Sequence, residues 1–169
     1  FGPMPNSNHV VVVQDLKSRF PVAKVVQSTS AEKVIPMLSD IYDSFGNPER
    51  QLSDNGPPFN SVAMEKFAEQ RGIDLQKIPP LPAASNPTET VMKPVGKAMK
   101  IAHRNHKKEG EVLKELLSNY RDTPHPATSV TPSTMLFRDG QKDIFPRRDV
   151  KRDEIEKAHV RDKEMKLRR

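Results

Sequence analysis

Two carboxylates and a row of cations are the residues of this sequence best placed to do chemistry. Asp54 sits inside SDNGPPF, at the end of a short expected strand, and Asn55-Gly56-Pro57-Pro58 turns the chain directly after it. Ligands of open α/β sheets gather at strand ends, and a carboxylate on a tight glycine turn can hold a hard divalent cation. The same residues also spell an Asx turn, in which the carboxylate only accepts from nearby backbone. Glu89 follows after 34 intervening residues, where a proline-rich loop becomes a helix. Asn86-Pro87-Thr88-Glu89 has the form of a capping box, with Asn86 as N-cap, Pro87 at N1 and Glu89 at N3. A structural role is therefore open for both acids.

Downstream of Glu89 the basic residues are Lys93, Lys97, Lys100, Arg104, Lys107 and Lys108, with no acid among residues 93–108. At 100° per residue their spacing places them on one side of a helix, with Val91, Val95, Ala98, Met99 and Ala102 on the other. A carboxylate at the head of a basic stripe suits a metal meeting a phosphodiester, with the cations tracking the phosphates. A solvated outer face is the plainer alternative. Pro94 bends the helix in either case.

Composition narrows the classes. Among 169 residues there are 28 Lys+Arg and 22 Asp+Glu, and the imbalance is local: residues 1–92 carry a net −2 and residues 93–169 a net +8. The basic half is where a polyanion would be drawn. With no Cys, a disulfide scaffold, a thiolate zinc site and a thiol nucleophile are excluded. Neither a secretory signal nor a membrane-length apolar run is visible, so an intracellular, soluble product with no membrane partner is expected. GxSxG, HExxH, Gly-rich phosphate-loop and dinucleotide motifs are all absent.

The elements that must position these residues follow from periodicity. Val10–Val13 and Phe20–Val26 read as a strand hairpin joined by QDLKSR. Ser28-Thr29-Ser30 offers N-caps for a helix through Phe45, with Val34, Leu38, Ile41, Tyr42 and Phe45 inward and Gly46 stopping it. Arg50–Ser53 is a short strand. Asn60 or Ser61 caps a second helix, with Val62, Met64, Phe67 and Ala68 inward. Ile73–Ile78 is the last strand, and residues 79–88 form an irregular proline-rich loop. Helices are expected at 88–107, 111–121 and near 132–137, then a charge-dense tail from Arg147. This is an α/β pattern with a mixed sheet.

The ordered segments FGPMP, VVVVQDLKSRFPVAKVV, SDNGPPFNS, the loop ending NPTE, MKPVGKAMK and NYRDTPHPATSVTPSTMLF together resemble the integrase catalytic core of Ty3/gypsy-type retrotransposons. The resemblance spans residues 1–146, and 147–169 resemble that family's basic linker towards its C-terminal region. It implies an RNase H-like α/β fold, a five-stranded mixed sheet flanked by helices, and a DDE triad of carboxylates binding two Mg²⁺ or Mn²⁺ ions. It also implies DNA as partner, both element ends and target, with a homo-oligomer in the intact protein and nuclear action. By position Asp54 matches the second acid of the triad and Glu89 the third, aligned through ETVMKPVGKAM. Aligning the loop without a gap would instead put Thr90 there. Lys93, one turn on, matches a DNA-contacting position, and Lys97, Lys100 and Arg104 extend it.

The family's first acid lies just before the FGP motif, on the central strand. The sequence starts at Phe1, so that strand is expected to be largely missing and 3′ processing and strand transfer inactive in this chain. Asp15 belongs to the end of the following strand, outside the triad. The alternative is an integrase-derived module that binds nucleic acid or protein without catalysis.

Overall fold

The computed structural model describes residues 2–4, 6–78 and 88–137, together with 156, 157, 160, 161, 163 and 164 of the tail. β-Branched residues suit a pleated strand. Accordingly β1 (His9–Gln14) pairs antiparallel with β2 (Pro21–Val26), in a register running from His9↔Val26 to Gln14↔Pro21. Asp15 closes the intervening loop: its Oδ2 accepts from both the N–H and the hydroxyl of Ser18 at 2.6 Å.

Side chains on a strand alternate between faces, and the hairpin is covered on both. Val11, Val13, Val22 and Val26 pack with helices α1 (Ala31–Phe45) and α2 (Val62–Gln70). Val10, Val12, Ala23 and Val25 pack with α3 (Glu89–Arg104) and α4 (Glu109–Asp122). The result is a helix–sheet–helix sandwich with one core on each side of the hairpin.

α1 follows Ser30 and ends at Gly46, whose φ of 91° lies in the left-handed region that glycine enters at little cost. Val34, Met37, Leu38, Ile41 and Tyr42 are buried at helical spacing. Phe45, expected inward, is instead 47% exposed. It stands on the last turn, at the rim, where its ring meets Phe20 at 6.0 Å and Phe137 at 6.3 Å.

β3 (Arg50–Ser53) and β4 (Asp74–Lys77) are parallel and joined through α2. Ser61 caps α2 by accepting from the Met64 N–H at 3.2 Å. That cap places Val62 at the first helical position, where it is 66% exposed rather than inward, while Met64, Phe67 and Ala68 are buried.

α3 stops at Arg104, three residues short of the expected end. His106 takes a φ of 52°, the Lys107 N–H donates to Ala102 O at 2.9 Å and the His106 N–H to His103 O at 3.2 Å. This is a Schellman termination with histidine in the usual glycine position. Lys107 thereby leaves the helix, and Lys108 caps α4 and pairs with Glu111 at 3.4 Å. A short α5 (Pro132–Leu136), capped by Thr131, completes the described core. Residues 79–87 of the proline-rich loop and the boundary at 146/147 lie outside the described residues, and the described tail residues are helical and exposed.

The two strand pairs do not join. Among the described residues there are two separate two-stranded sheets, β1–β2 and β3–β4. Between them lies a cleft of about 550 Å³, lined from both sides by strand residues.

Candidate functional site

Asp54 directly follows β3. Its Oδ1 accepts from the Gly56 N–H at 3.2 Å, so the Asx turn suggested by the sequence is formed. A Cβ at residue 56 would stand 3.2 Å from that same oxygen, which favours glycine here. The Phe59 N–H then donates to Gly56 O at 2.9 Å and the Ser61 N–H to Pro58 O at 3.0 Å, carrying the chain into α2. Asp54 remains exposed, and only Oδ1 is engaged by a described residue. Beside it, the hydroxyl of Ser53 is buried without a hydrogen-bond partner among the described residues.

Glu89 is the first residue of α3, with Thr88 at the N-cap position. The Val91 and Met92 N–H groups donate to Thr88 O at 3.0 and 2.9 Å. Glu89 thus occupies N1 rather than the N3 of a capping box, and Asn86 and Pro87 lie outside the described residues. Thr88 lines the same cleft as Gln51 and Leu52 of β3, so the start of α3 and the strand leading to Asp54 share one cavity wall. Asp15 is occupied by its turn with Ser18, consistent with a structural role.

A hard cation takes oxygen ligands, and an exposed carboxylate with a free oxygen at a strand end fits that requirement. Among the described residues no group of three or more His, Cys, Asp or Glu comes together.

α3 separates its two faces cleanly. Val91, Val95, Met99 and Ala102 are essentially fully buried, whereas Lys93, Lys97, Lys100 and Arg104 are exposed. None of these four cations is ion-paired with a described residue. The termination at His106 trims the basic row on α3 to these four residues.

Two features of the surroundings were not legible in the sequence. Arg71, at the end of α2, bonds Asp43 Oδ1 at 2.9 Å, Asn47 Oδ1 at 3.1 Å and Ser39 Oγ at 2.5 Å, fixing α2 to α1. Arg121 of α4 donates through Nε and Nη2 to Pro21 O at 3.0 and 2.8 Å, and its guanidinium stacks 4.4 Å from the Phe20 ring centroid. Half-burial pushes the Arg121 guanidinium below its ordinary range, opposed by Asp122. Single polar residues of this kind carry no periodic signal.

No family model matches the chain. An uncharacterized protein of Caenorhabditis elegans (K02A2.6) is 27% identical over 138 residues, covering 80% of this chain. The chain spans only 11% of the length of that protein. Among solved structures, the catalytic core domain of BIV integrase superposes with a TM-score of 0.62 at 17% identity, covering 77% of this chain and 86% of that one. No helix among the described residues is long and apolar enough to cross a membrane. The chain therefore has the fold of an integrase catalytic core, a mixed α/β arrangement of the RNase H-like kind.

Proposed function

We propose that this chain is the catalytic-core region of a retroelement integrase of Ty3/gypsy type, which binds element and target DNA and acts in the nucleus as a homo-oligomer. The observation that carries the reading is the arrangement around α3. Thr88, at the N-cap position of α3 and directly before Glu89, borders the cleft walled by the strand that leads to Asp54. From there Lys93, Lys97, Lys100 and Arg104 run along one exposed face. The integrase-core fold supports the same assignment.

In this reading Asp54 and Glu89 hold Mg²⁺ or Mn²⁺. Such ions stabilise the attacking and leaving oxygens of an in-line phosphodiester displacement. Asp54 is presented by the Asx turn, which fixes one carboxylate oxygen and leaves the other towards solvent. The four cations bind the phosphate backbone, giving affinity without base readout. A third carboxylate is required in this reading. The second reading is an integrase-derived module that binds DNA without cutting or joining it.

The test is duplex binding by fluorescence anisotropy across a salt series, run beside a Mg²⁺-dependent strand-transfer assay. Replacing Lys93, Lys97 and Lys100 by Glu is expected to flatten the log–log salt slope by about 2.7, at roughly 0.9 per phosphate contact. An unchanged slope removes the stripe as the DNA interface. Strand transfer by residues 1–169 alone would reject the non-catalytic reading.

A further inference from the structure

Asn55 is the one asparagine of the sequence that glycine follows. Asparagine is a labile residue because the next backbone nitrogen can attack its side-chain amide. Glycine, having no Cβ, leaves that nitrogen least hindered. The attack needs an amide free to turn, an approachable nitrogen and a base to take the nitrogen's proton.

All three meet in the turn after β3. Asn55 is exposed, and no described residue holds its side chain. Other asparagine amides are tied down: those of Asn6 and Asn8 donate to Glu109 at 2.9 and 3.1 Å, and that of Asn47 to Arg71 O at 3.1 Å. Around Gly56 the space is open except towards one group. Beyond its chain neighbours, the three heavy atoms nearest to a Cβ placed there are Oδ1, Cγ and Oδ2 of Asp54, at 3.2 to 3.8 Å. That carboxylate is also the base, already in contact, since the Gly56 N–H donates to Asp54 Oδ1 at 3.2 Å.

We propose that Asn55 is a self-modifying position of this chain, deamidating through a cyclic imide with the Asp54 carboxylate as proton acceptor. Asp54 takes the Gly56 proton along the existing hydrogen bond. The Gly56 nitrogen bonds to Asn55 Cγ and the Cγ–Nδ2 bond breaks. Asp54 returns the proton to the departing nitrogen, which leaves as ammonia. Water then adds to either imide carbonyl: opening at Cγ gives aspartate, and opening at the main-chain carbonyl gives isoaspartate, with one more methylene in the backbone. Nothing is oxidised or reduced, and the Asp54 carboxylate is regenerated.

Either product sets a second carboxylate beside Asp54. Isoaspartate also lengthens the path from Asp54 to Gly56 and so breaks the Asx turn that presents Asp54. The inference stands on this turn and does not depend on DNA binding or on metal chemistry.

The test incubates the full 1–169 chain in buffer and follows residue 55 by peptide mass spectrometry, with fragmentation that separates aspartate from isoaspartate. Beside it run the Asp54→Ser variant and a synthetic peptide of residues 53–59. Serine keeps an oxygen that can accept from the Gly56 N–H, as in an ST turn, but is far too weak a base to take its proton. Conversion in Asp54→Ser should be slower by at least about tenfold, a positioned base commonly contributing that much or more. Between about pH 6 and pH 8 carboxylates stay ionised, so the wild-type rate should change by less than about twofold. The free peptide relies on hydroxide and should speed up about tenfold per pH unit. Equal rates in wild type and Asp54→Ser, or a wild-type rate that climbs with hydroxide, would leave only the ordinary lability of an Asn-Gly pair and overturn the proposal. So would an Asn55 that stays intact while the peptide reacts, since the turn would then be protective. Should Asp54→Ser fail to fold, the wild-type pH profile decides alone.

Discussion

The Tyr42 hydroxyl donates to Gln51 Oε1 at 2.6 Å, tying the buried face of α1 to the middle of β3. Both residues line the cleft, so this bond holds β3 in place along an edge that no described strand supports. Burial pushes the Tyr42 phenol up to about 12, with the Arg71 charge opposing the rise.

Tyr42→Phe should therefore do two things. Losing the bond strands the partly buried Gln51 oxygen and is expected to cost about 1–1.5 kcal/mol at neutral pH. The second effect is on alkaline stability. A phenol whose folded value lies above its unfolded value of about 10 gives stability that is intact below pH 10 and lost as pH rises towards 12. Wild type should lose stability over that window, and the phenylalanine variant should lose less. Urea midpoints at about pH 9 and about pH 11 check both effects. Parallel pH profiles would place the alkaline transition elsewhere.

Asp43 carries an acid-side counterpart. The hydrogen bond from Arg71 holds its carboxyl below the usual carboxylate range, outweighing its small desolvation. A depressed value contributes stability that is present above the unfolded pKa of about 4 and lost as pH falls through the folded one. Asp43→Asn should melt below wild type at neutral pH, and the two curves should converge on acidification. A gap that persists to about pH 2 would mean the variant's defect is not the ion pair.

Arg121→Lys tests the link from α4 to β2. Lysine keeps the charge but cannot donate from two nitrogens to Pro21 O or stack its head flat on Phe20. A loss of about 2 kcal/mol is expected, measured by chemical denaturation. A change within about 0.5 kcal/mol, the range of an ordinary surface substitution, would show the contact to be dispensable.

At Asp54 structure and chemistry can be separated. Asp54→Asn retains an oxygen able to accept from the Gly56 N–H, so stability should change by less than about 0.5 kcal/mol. The lost carboxylate should weaken Mn²⁺ binding at least tenfold, as read by calorimetry or by water-proton relaxation. Unchanged Mn²⁺ affinity would leave Asp54 with its turn and nothing more.

Much of this fold was legible along the chain because short-range chemistry decides it. A run of four β-branched valines made β1, the Ser61 cap and the Gly46 stop bounded helices, and the 3.6-residue period divided α3 into a buried face and the row Lys93, Lys97, Lys100 and Arg104. The SDNG turn and the start of α3 also marked Asp54 and Glu89 as residues at element ends, where a site can form. Tertiary structure decided what depends on distant partners. Phe45 and Val62 satisfy the helical period yet stay exposed, Phe45 at the rim beside Phe20 and Phe137 and Val62 on the first turn of α2. Lys107 left the basic row because the chain turned left-handed at His106 and redirected its backbone to Ala102. That Thr88 borders the cleft shared with Leu52, and that β1 and β3 line it without pairing to each other among the described residues, follows from how two strand pairs settle on common helices. Period and propensity act over one turn or one strand, whereas strand neighbours are set by which apolar faces can be buried together.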